Sequence, residues 1–93
     1  MGAQWTLLPG NIMFAWGSQT ITSSGDQTYN WVSIWGIPAF TGILSVQITG
    51  SNADTTKTVK LKSFSNTQLT VNASASSSNF QFLAIGLVDS TLL

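Results

Sequence analysis

The chain has 93 residues, only 6% of them charged, and its three Lys balance its three Asp to a formal charge of zero. It therefore lacks the basic patch that offsets phosphate charge, and nucleic acid is not an expected partner. Without Cys or His, disulfides, ordinary zinc or haem sites, thiol nucleophiles and His-based acid–base chemistry are closed as well.

Ser and Thr make up about a quarter of the residues, and period-2 alternation recurs between Gly, Asn, Asp and Ser clusters while no stretch repeats every 3.6 residues. This pattern predicts an all-β chain. Before Pro9 no strand is assigned. The N-terminus has no basic segment followed by an apolar run and no stretch is long enough to span a bilayer, so neither a secretory leader nor membrane insertion is expected.

After the Pro9-Gly10-Asn11 turn, Ile12–Trp16 reads as a strand with Ile12, Phe14 and Trp16 on one face and Met13 and Ala15 on the other. A polar continuation follows at Ser18–Thr22. Ser23-Ser24-Gly25-Asp26 is a turn cluster in which Gly25 can take positive φ.

The run Tyr29–Trp35 reads as a further strand. It is apolar on both parities: Tyr29, Trp31 and Trp35 on one, Val32 and Ile34 on the other. A chain this short has room for one hydrophobic core, so the second face belongs to an identical neighbour. Tyr29, Trp31 and Trp35 are therefore candidate subunit contacts, and Trp16 is expected in the core. Gly36-Ile37-Pro38 ends the run, and Phe40 is expected to plug the space between sheet layers.

In Ile43–Thr49, Leu44, Val46 and Ile48 are expected to point inward, against Ser45, Gln47 and Thr49. Gly50 to Asp54 forms a loop. In Thr58–Phe64, Val59 and Leu61 oppose Lys60 and Lys62, which cover a solvated face and discourage edge-to-edge pairing. A turn at Ser65–Gln68 leads to a strand with Leu69, Val71 and Ala73 inward, and a Ser-rich loop runs from Ala73 to Asn79. The last strand, Phe80–Val88, sets Phe80, Phe82, Ala84, Gly86 and Val88 against Gln81, Leu83, Ile85 and Leu87. It is apolar on both sides, which makes Leu83 and Ile85 further candidate subunit contacts.

Six or seven short strands form a single domain, 1–93, with a core over 8–88. Two antiparallel sheets packed face to face are the expected architecture, an up-and-down barrel is the alternative, and the Cys-Trp-Cys landmarks of an immunoglobulin domain are absent. An extracellular domain of this size without disulfides needs oligomerisation or unusually dense strand pairing for its stability, and oligomerisation fits the second apolar face.

Candidate ligand groups are the amides and carboxylate of Asn52, Asp54, Asn79 and Gln81, with Trp5 as an aromatic platform. Three scattered Asp do not make a glycosidase pair, so no catalytic residue, metal or cofactor is assigned and the chain is not expected to be an enzyme.

The turn and strand Leu8-Pro9-Gly10-Asn11-Ile12-Met13-Phe14-Ala15-Trp16-Gly17 resembles the C-terminal domain of bacteriophage tail fibre proteins, where Leu-Pro-Gly-Gly feeds a strand ending in Gln-Trp-Gly. Ile37-Pro38-Ala39-Phe40 looks like that family's Phe-Pro-x-x-Phe stretch, and Leu44-Ser45-Val46, Phe64 to Val71 and Phe82-Leu83-Ala84-Ile85-Gly86 follow in the expected order. Asn11, Ala15 and Ile37 depart from the pattern. The resemblance implies a homotrimeric β-sandwich at the tip of a virion's tail fibre or spike, similar to the trimeric sandwiches of H-type lectins. Such a domain would recognise a host surface glycan or an outer-membrane protein and touch other virion proteins. A purely structural virion module, such as a trimerising cap or a decoration, is the alternative, and a soluble carbohydrate-binding module of an enzyme is a third reading.

Overall fold

The computed structural model describes residues 3–52 and 56–89. Among them the chain forms β1 (Ala3–Leu8), β2 (Ile12–Ile21), β3 (Gly25–Asn30), α1 (Trp31–Trp35), β4 (Phe40–Gly50), β5 (Val59–Phe64), β6 (Gln68–Ala73) and β7 (Ser78–Val88). Every strand pairing is antiparallel. A four-stranded sheet in the order β1-β2-β7-β4 faces a three-stranded sheet in the order β3-β6-β5. This is the expected sandwich rather than the barrel.

The core lies between the sheets because alternate side chains of each central strand point the same way. Met13, Ala15 and Ile21 of β2 join Phe80, Phe82, Ala84 and Val88 of β7, and Leu69, Val71 and Ala73 of β6 meet them from the other sheet. The parity read from sequence for β2, β6 and β7 holds residue by residue. β1 pairs along β2 from Ala3–Gly17 to Leu8–Ile12, a strand not expected from the sequence.

Three expectations are corrected. Trp31–Trp35 is a helical turn, not the continuation of β3. The Asn30 side chain caps it by accepting from the backbone N–H groups of Val32 and Ser33, both at 3.0 Å. Gly36, at φ 69°, closes the far end by donating to Val32 O at 2.9 Å. A cap, an i,i+4 tryptophan pair and a left-handed glycine outweigh the strand preference of β-branched and aromatic residues. The two-sided pattern then means one buried helical face and one exposed face, not two sheet faces.

Leu44 points outward and is 59% exposed. The pairing of β4 with β7 slips between Ile43 and Ser45, and this bulge takes Leu44 out of the alternation. Leu61, set on the face opposite the lysines, pairs with Val71 on edge strand β5 but stays exposed rather than joining the core, and a second slip between Leu61 and Ser63 adds Lys62 as the extra residue.

An aromatic cluster joins the layers. Trp31 is fully buried and its ring meets those of Trp35, Phe40 and Phe82, with centroids 5.3, 5.6 and 5.6 Å away. Its Nε1–H donates to Ser65 O at 2.9 Å, while Trp35 Nε1–H donates to Gln19 Oε1 at 3.0 Å. Both buried indoles are thereby satisfied, which large aromatic burial requires. Phe40 lies between the layers, as expected.

Candidate binding face

The outer face of the four-stranded sheet grades from apolar to polar along the strands. In register, its rows are Leu8–Ile12–Leu87, then Thr6–Phe14–Ile85–Ser45, then Gln4–Trp16–Leu83–Gln47, then Ser18–Gln81–Thr49, then Thr20–Asn79. The first two rows are mainly aliphatic and aromatic; the last two carry only hydroxyls and amides. Trp16 and Leu83 form the boundary.

Trp16 was expected in the core, but it is 42% exposed. Its parity is shared with Ile12 and Phe14, and the core side of β2 belongs to Met13 and Ala15. Leu83 and Ile85, expected at a subunit contact, lie on this outer face and are partly buried by their row neighbours. The apolar second side of β2 and β7 is thus a real surface of the single chain.

The other expected subunit contacts lie elsewhere. Trp31 and Trp35 are 0% and 2% exposed, so neither has surface to offer a neighbour. Tyr29 is partly buried and stacks on Trp35 with centroids 5.4 Å apart, and burial raises its phenol's pKa above the ordinary value.

Of the expected ligand residues, the fold brings Asn52 and Asn79 together. Asn52 Oδ1 accepts the backbone N–H of Asn79 at 2.6 Å, and Asn52 Nδ2 donates to the Asn79 carbonyl at 3.2 Å. The amide therefore acts as a strand residue, tying the loop after β4 to the start of β7. Asn79 Oδ1 accepts from Thr20 Oγ1 at 2.7 Å. Asp54 lies outside the described residues. Trp5, exposed on edge strand β1, pairs with Ala15 and so has the opposite parity to Gln4 and Trp16.

Gln81 lines an open cleft of ≈ 380 Å³ with Gln4, Trp16 and Ser18, the lining being completed by Ala3, Gly17 and Phe82. The cleft opens where β1 begins beside Gly17. A Cβ on Gly17 would lie 3.0 Å from the Ala3 Cβ and 3.1 Å from Phe82 Cε2, so any larger residue would make Ala3 or the Phe82 ring give by a few tenths of an ångström. Gln4, Trp16 and Ser18 were not expected here. Their signal is their spacing: Trp16 and Ser18 share parity on β2, but only the sheet places Gln4 and Gln81 beside them.

Charge sits on the other sheet. Asp26, Asn72 and Lys60 share a row there, Asn72 Nδ2 donates to Asp26 Oδ1 at 2.8 Å, and Lys62 pairs with the same carboxylate. Among the described residues no group of three metal-ligating side chains converges, and no helix is long and apolar enough to cross a membrane.

No protein-family model and no curated protein sequence matches the chain. Among solved structures, the chain is similar to the N-truncated R2-type pyocin tail fibre, with a TM-score of 0.60 at 16% identity over 92% of this chain. The match takes in 39% of the fibre chain, so this sequence spans well under half of that protein. The likeness extends across the sandwich and is one of fold.

Proposed function

We propose that the chain is a virion-associated tail-fibre module that assembles as a homotrimer and binds a bacterial surface receptor, a glycan or an outer-membrane protein. The observation that carries this reading is the graded outer face of the four-stranded sheet. Its apolar rows, centred on Ile12, Phe14, Ile85 and Leu87, contain no charged side chain, so copies of the chain meet there without like-charge repulsion. Burying them also adds stability to a domain without disulfides. The polar rows stay free for a receptor. The fold likeness to a pyocin tail fibre supports the assignment to a fibre.

A second reading, a structural module whose partners are other virion proteins, draws on Val32, Ile34 and Phe64. These are exposed apolar residues on α1 and at the end of β5. Two measurements separate the readings. Light scattering at micromolar concentration is expected to give about three times the 9.9 kDa chain mass; a monomer favours an isolated binding module. Capture of outer-membrane fractions from a panel of bacterial strains is expected for a receptor-binding trimer, whereas a trimer that captures none supports the structural module.

A further inference from the structure

We infer that the cleft formed by Gln4, Trp16, Ser18 and Gln81 is a binding site for a neutral pyranose ring, a reading that rests on the receptor-binding role and names its ligand class and contact residues. None of the cleft's seven lining residues is charged. The described ionic side chains lie elsewhere: Asp26, Lys60 and Lys62 on the three-stranded sheet, Lys57 next to Ser77, and Asp89 beyond the far end of β7. Among the described residues an ionic ligand would find no counter-charge here to offset the water it leaves, which favours neutral hydrogen bonds.

What the cleft holds matches a hydroxylated ring. The Trp16 indole is 42% exposed, presenting a flat apolar surface to the C–H face of a sugar. Two carboxamides and a hydroxyl surround it, and each both donates and accepts, as sugar hydroxyls do. Gln4 is cross-strand from Trp16, and Ser18 is cross-strand from Gln81, so the polar groups border the ring on two sides. At ≈ 380 Å³ the cleft lies at the small end of the roughly 300–1,000 Å³ of small-ligand sites.

The rigidity of the site also follows from the fold. Trp16 and Gln81 stand on the two central strands, and Gly17 fixes the close approach of Ala3 and Phe82 beneath them. Sites on sheet strands hold their geometry better than sites on loops. The expected loop ligands differ in this respect, since the Asn52 amide is already bonded to the Asn79 backbone.

The test is a titration of the intact chain with methyl glucoside, methyl galactoside and methyl mannoside, and with glucuronate as the charged control, followed by two-dimensional amide and indole NMR. At least one neutral glycoside is expected to shift the Trp16 indole and the Gln4 and Gln81 side-chain amides saturably, with the Trp5 indole unmoved. Gln81→Ala and Gln4→Ala, both on exposed positions, are each expected to weaken that binding several-fold while leaving the remaining spectrum in place. Absence of saturable shifts with every neutral glycoside, tighter binding of glucuronate, or shifts centred on Trp5 or Asn52 overturns the inference. The outer-membrane capture assay separates this failure from failure of the receptor role. Capture that survives in both Gln variants leaves the receptor role standing and overturns the cleft; sugar-induced shifts at Trp16 without capture keep the cleft and remove the receptor role.

Discussion

The ring of Phe40 lies across the backbone of Gly86, so that a Cβ at Gly86 would come 2.5 Å from Phe40 Cδ1 and 3.0 Å from the Ile43 Cα. The ring also meets the buried Trp31 indole edge-on, with centroids 5.6 Å apart, which restricts its room to move. Gly86→Ala is therefore expected to destabilise the chain by about 1–3 kcal/mol through overpacking, read as a lower urea midpoint. An unchanged midpoint would mean that the β4–β7 bulge yields freely.

Trp31 is a core residue of the single chain, with its N–H bonded to Ser65 O. Trp31→Ala is expected to cost about 3–5 kcal/mol, and the loss should persist at concentrations low enough to dissociate any assembly. A loss that vanished on dissociation would return Trp31 to a subunit contact.

Asn66 closes the outer edge of β4 by acting as a strand residue: its Oδ1 accepts the Ile43 N–H at 2.8 Å and its Nδ2 donates to Thr41 O at 3.2 Å. An open sheet edge invites pairing with another chain. Asn66→Ala is expected to lower stability by about 1 kcal/mol and to speed aggregation on mild heating. Asn66→Asp keeps the acceptor but not the donor and should fall between the two. Equal aggregation rates for all three proteins would contradict the edge-closing role.

The apolar rows of the outer face can be tested without disturbing the core. Ile85 is on a central strand, faces outward and pairs with Phe14 and Ser45. Ile85→Lys is expected to reduce the light-scattering mass to that of one chain while the Trp31 and Trp35 indole NMR signals keep their positions. A variant that stays assembled would move the subunit contact to another face.

Asp26 provides a pH test. The hydrogen bond from Asn72, and after it the contact with Lys62, hold its carboxyl below the ordinary value of 3.8. The native chain therefore resists protonation that the unfolded chain accepts. The stabilisation is complete above the unfolded value and is lost as pH falls through the lower, folded one. The urea midpoint of the native chain is expected to exceed that of Asp26→Asn near neutral pH, modestly because the pair is exposed, and the gap should close in acid. A gap independent of pH would show that the carboxylate charge contributes nothing.

Much of the sandwich was legible from residues alone because period-2 alternation is a local property. Met13 and Ala15 against Ile12, Phe14 and Trp16, and Phe82 and Ala84 against Leu83 and Ile85, divide into two sheet faces whatever the topology. The helical turn at Trp31–Trp35 had its signals too, in Asn30 and Gly36. Five residues are too few for a 3.6 period to outweigh the strand preference of Trp, Val and Ile.

What alternation cannot say is which face is inside, and so Trp16 was expected in the core when the core side of β2 is Met13 and Ala15. Nor can it place a bulge, which is a mismatch between two strands and so put Leu44 outside its parity. The cleft is the extreme case: Gln4, Trp16, Ser18 and Gln81 span 78 residues of sequence and meet only through the β1-β2-β7 pairing. Composition and alternation establish a sparsely charged, strand-dominated chain of zero net charge, without Cys or His and with one apolar stripe too many. The pairing of strands, a long-range choice made by the whole core, decided where that stripe lies and which polar groups stand beside it.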